Sequence, residues 1–224
     1  MGKRQFIGEI PKRIAALPRD KRGFPIPKFV EWIDGEPDFR IMSSEHMYNC
    51  LKKGSCWICG ETTGAHKAFV IGPMCCVNRV SAEPPSHYDC ARFAALNCPF
   101  LSHPLAKRPD LSDIPDHVVP VGMIDRNPGV AAVWITKNYH PVRQGAQTVL
   151  MEIGDPERVE FYANGRFASR EEIDKSVLTG LPILWTMAIK EGMGAERELA
   201  KSIQRFNETV LERFAPQQKT EALT

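Results

Sequence analysis

The stretch that decides the fold begins with Cys56-Trp57-Ile58-Cys59-Gly60 and ends with Ser86-His87-Tyr88-Asp89-Cys90. It holds a CxxC pair followed, at the distance of a hairpin, by an HxxC pair, which is the ligand spacing of a structural zinc site. Zinc takes four ligands in a tetrahedron, at about 2.3 Å from sulfur and about 2.0–2.1 Å from imidazole nitrogen. The sequence therefore predicts one zinc ion bound by four side chains: Cys56, Cys59, His87 and Cys90.

The residues between the two pairs predict a knuckle followed by a hairpin. A tight turn that ends at Gly60 places both cysteines of the CxxC pair on a zinc knuckle. Apolar runs at residues 68–71 and 76–80 lie on either side of Gly72-Pro73, which is a turn sequence. These two runs are therefore expected to pair as the strands of a β-hairpin.

A helix is predicted to begin directly after Pro84-Pro85, with Ser86 as its N-cap and Asp89 completing an S-x-x-D capping sequence. His87 and Cys90 are three residues apart, so both lie on one face of the first turn. The positive end of the helix dipole also favours the thiolate form of Cys90. The order of knuckle, hairpin and helix is that of a treble-clef zinc finger.

The neighbouring cysteines are weaker candidates for the metal. Cys98 lies eight residues beyond Cys90, which is roughly 12 Å along a continuous helix and too far to share the ion. Cys75 and Cys76 are adjacent, so on a strand they point to opposite faces and at most one can reach the metal. If His87 is not a ligand, Cys75 or Cys76 is expected to replace it, with Cys75 as the first reserve.

The whole block has a simpler alternative, in which its cysteines are reduced core residues without a metal. Cys50 is expected to be a small buried hydrophobe of this kind. Five of the seven cysteines fall between Cys56 and Cys90, and their spacing in pairs favours the metal. Without a visible export signal, this clustering indicates metal binding before disulfides, and a reducing cytoplasm as the compartment.

The bulk composition is that of an ordinary globular protein. The chain has 224 residues, of which 25% are charged and 43% hydrophobic, enough for one sizeable core or two small domains. Its start runs into polar and basic residues rather than an apolar signal. The longest apolar stretch, from Leu181 to Ile189, is too short to span a bilayer. A cytoplasmic protein without a membrane segment is expected.

Residues 1–28 form a strongly basic segment. They hold eight lysines and arginines against Glu9 and Asp20, a net charge of +6 (8 − 2), whereas the whole chain carries +2. A basic arm of this kind can follow a phosphate backbone or an acidic protein surface. The alternative to a binding arm is a solvated terminal segment that has no partner.

The remaining patterns predict α+β structure. Residues 29–33 alternate as a short strand, and Ser43-Ser44 precedes a helix that ends at Gly54. Downstream, residues 130–135, 148–153 and 159–162 are β-branched runs, which together predict one small antiparallel sheet.

The C-terminal part is predicted to be helical. Ser169 and Glu172 form a capping-box sequence, so a helix should start there and run to Gly180. From Ala195 onward, apolar residues recur at helical spacing to Phe214, and this stripe is expected to face the core. Gly192 and Gly194 are expected to form the turn between the two helices.

The fold class predicted from these patterns is α+β: a treble-clef zinc finger packed with a small antiparallel sheet and C-terminal helices. Its predicted parts are a basic arm at 1–28, a strand, helix and treble-clef module at 29–103, a proline-rich linker at 104–120, a small sheet with helices at 121–215, and a tail at 216–224.

Several segments also resemble a family of uncharacterised proteins from bacteria and their phages. The resemblance is carried by the CWICG pentapeptide and by residues 23–30, 69–75, 83–87 and 164–171, and it covers most of residues 20–180. It implies a shared compact fold with a zinc-ribbon-like or treble-clef core. It carries no activity over to this chain.

Motifs of known enzymes are missing from the sequence. It contains no HExxH, Walker loop or GxSxG, and it lacks the paired elements of zinc deaminases. HNH nucleases use a treble-clef frame too, but they place catalytic His and Asn residues where this chain has presumed structural ligands. The most suggestive polar cluster elsewhere is Asn138-Tyr139-His140 with Arg143, which an exposed loop at a strand end explains equally well.

Three functions follow as hypotheses. The leading one is a zinc-stabilised binding protein that contacts nucleic acid through the basic arm, with no catalytic residues. The second is a metal-assisted nuclease or other hydrolase that uses His140, Arg143 or an open zinc position. The third is a phage-type interaction or inhibitor protein that contacts other proteins only.

Overall fold

A computed structural model of the protein describes residues 5–102, 127–144 and 148–214. The predicted linker at 104–120 and the predicted tail at 216–224 lie outside the described residues.

The described chain is a mixture of helices and antiparallel strands, as predicted. The helices are α1 (Lys12–Ala15), α2 (Ser44–Lys53), α3 (Pro73–Asn78), α4 (Tyr88–Asn97), α5 (Pro99–Ser102), α6 (Arg170–Glu191), α7 (Met193–Phe206) and α8 (Glu212–Phe214), with a π-helical turn at Asn207–Leu211. The strands are β1 (Val30–Ile33), β2 (Glu36–Met42), β3 (Lys67–Ile71), β4 (Val80–Ser81), β5 (Ala131–Thr136), β6 (Tyr139–Gln144), β7 (Thr148–Ile153), β8 (Arg158–Ala163) and β9 (Arg166–Phe167).

The centre of the fold is a four-stranded antiparallel sheet with the order β3-β5-β8-β9. Successive side chains of a strand point to opposite faces, and every residue of β5 is buried, so both faces of the sheet are covered. Trp134 and Phe161 pack on one face in the cluster shared with α6 and α7. Val133 and Tyr162 pack on the other face against α4. The sheet is thus the middle layer between two sets of helices.

A second sheet has the order β4-β7-β6, and β1 pairs only with β2 in a separate hairpin. The prediction that the three downstream β-branched runs share one sheet is therefore wrong. The run at 148–153 forms β7, which pairs with β6. The sequence predicts a loop, not a strand, at the position of β6. The reason is local: β6 carries Pro141 and five exposed residues, so it lacks the apolar alternation by which a half-buried strand is recognised.

The predicted hairpin at residues 68–80 is also wrong in its second half. Residues 73–78 form α3, which begins with Pro73 in the first turn, where a missing N–H costs nothing. The helix buries Met74, Cys76 and Val77, and it ends at Arg79, which has a left-handed backbone conformation with φ 53°. Strand β3 pairs instead with β5.

Two predicted helix starts are confirmed. Ser43 caps α2 by accepting a hydrogen bond from the N–H of His46, and Gly54 ends that helix in a left-handed conformation. Ser169 and Glu172 form a complete capping box at the start of α6.

The predicted end of α6 at Gly180 is wrong, because the helix continues through Pro182 to Glu191. Its buried side chains, among them Val177, Leu184 and Ala188, keep helical spacing on both sides of the proline. Packing of this face against the sheet therefore outweighs the local cost of a proline inside the helix. The apolar stripe of α7 lies in the same core, as predicted, with Leu199 and Phe206 buried.

The capping box predicts an acid-dependent part of the stability. Arg166 and the N–H of Ser169 bind the Glu172 carboxylate and lower its pKa to about 2, from an ordinary value of 4.5. A depressed pKa stabilises the folded state above pH 4.5, and this contribution is lost as the pH falls toward 2. Glu172→Gln is expected to lower the free energy of unfolding at pH 7 by about 1 kcal/mol.

Urea unfolding of the unaltered protein and of Glu172→Gln between pH 7 and pH 2 measures the difference in the free energy of unfolding, which should shrink below pH 4.5. The two proteins carry the same cysteines and His87, so metal loss in acid affects them equally. Glu171→Gln, on the same turn but outside the capping box, is the control. A difference that stays constant with pH would contradict this assignment.

Candidate metal centre

The four predicted ligands come together. The thiol sulfurs of Cys56, Cys59 and Cys90 and a ring nitrogen of His87 all lie within 4.8 Å of one another. The three cysteines are buried, and His87 is half-buried. A group of three thiols and one imidazole at these separations can hold a metal ion.

Backbone hydrogen bonds form the knuckle that carries the first two cysteines. The N–H of Cys56 donates to the carbonyl of Glu61 at 2.7 Å, and the N–H of Gly60 donates to the carbonyl of Cys56 at 2.9 Å. Gly60 has φ 83°, a left-handed conformation that glycine adopts without strain. The N–H of Trp57 donates to the carbonyl of Pro85 at 3.0 Å and so joins the knuckle to the start of α4.

The buried His46 of α2 fixes the knuckle from its other side. Its Nε2 lies 2.9 Å from the carbonyl oxygen of Trp57 and 3.2 Å from that of Cys56. Its ring stacks on the Trp57 indole, with the ring centroids 5.5 Å apart. Sequence analysis missed this role. The available signal was a histidine on the helix directly before the CxxC pair.

The His87 ring is oriented as a metal ligand requires. Its Nδ1 lies 3.4 Å from the sulfur of Cys59 and 4.0 Å from that of Cys90. Its Nε2 lies 3.0 Å from the carbonyl oxygen of Thr62, which can only accept a hydrogen bond. The proton therefore belongs on Nε2, and the lone pair of Nδ1 faces the thiols.

The three thiols cannot all ionise without a cation. Hydrogen bonds from Cys59 and Cys90 hold the pKa of Cys56 well below its usual range, aided by the N–H groups of Cys59 and His87. The same contact with Cys56 raises the pKa of Cys59 to about 11 and raises that of Cys90 strongly. A divalent cation would remove this conflict by stabilising all three thiolates, and its binding would release protons.

Helix α4 begins one residue later than predicted. His87, not Ser86, is the N-cap residue, and the cap has no side-chain hydrogen bond. Ser86 is buried and pairs through its backbone with Ala68, so its N–H and carbonyl are already used. Asp89 does not complete a capping box with Ser86. Its carboxylate accepts two hydrogen bonds from Arg13, at 2.8 and 3.0 Å.

The predicted basic arm is built into the metal module. Ile14 of the short helix α1 and Leu17, which follows the helix, are buried. Both belong to one apolar cluster with the cysteines and Phe93. Arg13 of α1 is held by Asp89 of α4. The described part of the basic segment therefore packs against the metal module and is not a free arm.

A buried carboxylate links α4 to the central sheet. Glu160 of β8 is only 3% exposed, and it accepts hydrogen bonds from the phenol of Tyr88 at 3.0 and 3.1 Å. The phenol of Tyr162 donates to it at 2.6 Å, and Arg158 forms an ion pair with it. Burial and the neighbouring Glu160 raise the pKa of Tyr88, so its phenol remains a donor. Sequence analysis missed this network, although a lone Glu in the apolar run of β8 was its signal.

The other cysteines lie outside the group that the described residues form. Cys75 is on α3 and Cys98 ends α4, so neither joins the four side chains. Cys50 is 1% exposed, as predicted for a small buried hydrophobe, and burial raises its pKa to about 12.

The polar cluster at residues 138–143 does not converge on a site. His140 and Arg143 lie on the exposed strand β6, opposite Glu152 and Val149 of β7. Tyr139 packs against Phe69, with the ring centroids 5.5 Å apart. The turn predicted at Gly192 and Gly194 is confirmed for Gly192, which separates α6 from α7 with φ 106°, whereas Gly194 lies inside α7.

Comparison of the chain with protein-family models, with curated proteins and with solved structures finds no match. Among the described residues, none of the helices has the length and apolar character that crossing a bilayer requires.

The geometry predicts one metal ion per chain. Cys90→Ser is expected to abolish metal binding, because Cys90 is fully buried between the other ligands and a serine hydroxyl is a poor substitute for a thiolate. Metal content by elemental analysis after gel filtration measures the loss. Cys75→Ser is the matched control and should keep the metal. Full retention in Cys90→Ser would contradict the site.

The Tyr88 link predicts a separate loss of stability. Tyr88→Phe removes one donor from a buried carboxylate, which costs about 1–3 kcal/mol in the free energy of unfolding. Tyr48→Phe is the matched control: Tyr48 is 57% exposed, and its change should stay within about 0.5 kcal/mol. Urea unfolding of the two metal-loaded variants measures their free energies of unfolding. Equal stability of Tyr88→Phe and Tyr48→Phe would contradict a stabilising role for the Tyr88–Glu160 hydrogen bond.

Proposed function

We propose that the protein is a zinc-stabilised binding protein whose metal is structural and whose surface beside the metal contacts nucleic acid. The observation that carries the structural part is the closed group of Cys56, Cys59, His87 and Cys90, with the His87 proton directed to a backbone carbonyl. Three thiolates and one imidazole are donors that suit zinc. Structural zinc of this kind contributes about 10–16 kcal/mol in small fingers.

This ligand set argues against a metal-assisted hydrolase. Catalytic zinc keeps an open position for water, whereas four protein ligands fill the tetrahedron. His140 and Arg143 sit on a separate exposed strand. A binding role is therefore the better proposal.

We propose further that the metal module is a divergent treble clef. The knuckle and the first turn of α4 supply the ligands in the treble-clef order, which supports this assignment. In place of the usual hairpin, the backbone of Ala68 bridges to Ser86 just before the helix. The resemblance to a bacterial and phage family, and a cytoplasmic location suited to free thiols, belong to the same proposal.

The basic surface is proposed to consist of lysines around the knuckle. Lys28 donates its N–H to the carbonyl of Ile58, and its side chain lies against Gly60. Lys52 and Lys53 end α2 directly before the knuckle.

A fourth lysine, Lys12, lines a shallow cleft together with Glu61 of the knuckle. Within the described part of the chain, none of the four lysines forms an ion pair, and all four are exposed. By contrast, Arg13 and Lys21 of the basic segment are paired with carboxylates. The lysines at 12, 28, 52 and 53 are thus cations able to meet phosphates beside the metal, and they are the ones proposed to do so.

The test is the salt dependence of binding to generic duplex DNA and single-stranded RNA. Lys28→Gln combined with Lys53→Gln should weaken binding to all sequences and reduce the slope of log affinity against log salt by about 1 per lysine. Deleting residues 1–22 is not a suitable test, because it would remove the buried Ile14 and Leu17.

The control is Lys175→Gln combined with Lys190→Gln, an equal change of charge on α6. It should leave the slope unchanged. Zinc content should be the same in both double variants. The proposal fails if the intact protein shows no salt-dependent binding, or if the two double variants bind alike.

A further inference from the structure

The hairpin of β1 and β2 contacts the N-terminal segment through the Lys21–Glu36 ion pair and through Arg22, whose guanidinium lies over the Phe39 ring. It turns at Asp34-Gly35, both with positive φ (50° and 79°), which is the turn chemistry of a tight hairpin. Among the described strands it pairs with no third strand, although the N–H of Trp32 donates to the Glu31 carboxylate at 3.4 Å, the N–H of Arg40 donates to Asp38 at 2.9 Å, and Pro37 has no N–H. Its one buried residue is Val30. A two-stranded hairpin of this kind is marginal in water unless something packs on it.

Large apolar side chains are exposed on this hairpin. Trp32 is 47% exposed, Ile33 is 44% exposed, and these neighbours point to opposite faces of β1. Phe39 and Met42 of β2 are exposed to a similar degree. Single exposed apolar residues are normal, but a set of them on one small element marks an interaction site.

Arg22, which lies over the Phe39 ring, is paired with Asp20, and the hairpin itself carries an excess of negative charge. Glu31 and Asp34 on the hairpin and Glu45 at the start of α2 have no cationic partner within the described residues. Two further hairpin carboxylates, Glu36 and Asp38, are neutralised by Lys21 and Arg40. The excess charge disfavours a phosphate backbone and favours a partner with lysine or arginine beside its apolar side chains.

We propose that the β1–β2 hairpin is a docking site for an extended segment of another protein that alternates apolar and basic side chains. The segment would lie along the hairpin, its apolar side chains would cover Trp32 or Ile33, and its cations would meet Glu31 and Asp34. This surface shares no residue with the proposed nucleic-acid surface, and it would give the protein a second, protein-binding role.

The experiment uses the full zinc-loaded chain and two fluorescent probes: a peptide that alternates lysine with valine, and the same peptide with glutamate in place of lysine. Fluorescence anisotropy should show binding of the lysine peptide and at least about tenfold weaker binding of the glutamate peptide. Trp32→Ser combined with Phe39→Ser should weaken the lysine peptide about tenfold or more.

The matched control is Leu178→Ser combined with Ile189→Ser, which removes two exposed apolar side chains from α6. It should bind the lysine peptide like the unaltered protein. If the hairpin variant does not fold, Glu31→Gln combined with Asp34→Asn replaces it, because these changes keep the side-chain shapes and remove only charge. Weaker binding of the lysine peptide is then expected.

Three results would overturn the proposal. One is that the lysine peptide does not bind, or binds all variants alike. A second is that the protein self-associates and the Trp32 and Phe39 variant becomes monomeric, since the occupant would then be a second copy. The third is that the hairpin variant loses nucleic-acid binding and keeps peptide binding, which would assign the hairpin to the nucleic-acid surface.

Discussion

The structure depends on the first turn of α4, where four consecutive residues contact different parts of the molecule. His87 and Cys90 complete the metal-binding group, Tyr88 donates to the buried Glu160 of the central sheet, and Asp89 binds Arg13 of the N-terminal segment. Because these side chains leave a single helical turn, a metal that fixes the turn also fixes the position of the sheet and of α1 relative to the knuckle.

The need for this metal can be understood from the size of the cores. The large apolar cluster lies on the far face of the central sheet, with α6 and α7, and needs no metal to pack. The cluster around the cysteines is small: its buried members besides the cysteines are Ile14, Leu17, Ile58 and Phe93. A core of this size buries too little apolar surface to offset the ordering of the chain around it. Coordination of a metal would supply the missing free energy and would fix the Arg13–Asp89 ion pair and the Glu160 network in place.

Sequence patterns predicted the ligands because their chemistry is local. The CxxC and HxxC spacings and the capping box at Ser169 are each set within one turn. The group of Cys56, Cys59, His87 and Cys90 and the start of α6 were therefore recognisable without tertiary information. The pairing of strands was not, because β3 joins β5 across some sixty residues, through a segment rich in proline. Short apolar runs such as residues 73–78 also fit a helix and a strand equally well, and only packing decided for α3.

The polar contacts that organise the site could not be predicted from the sequence either, because they join residues far apart in the chain. Glu160 and Tyr88 are 72 residues apart, and Arg13 and Asp89 are 76 apart. Both contacts change how charge is distributed: Arg13 is used inside the module, so the basic character of the N-terminal segment is not available as a whole to a partner. Among the described residues, four exposed lysines without an ion pair lie around the knuckle, and Glu31 and Asp34 of the β1–β2 hairpin lack a cationic partner. A net charge of +2 is thus compatible with local groups of opposite charge on the two elements for which binding roles are proposed.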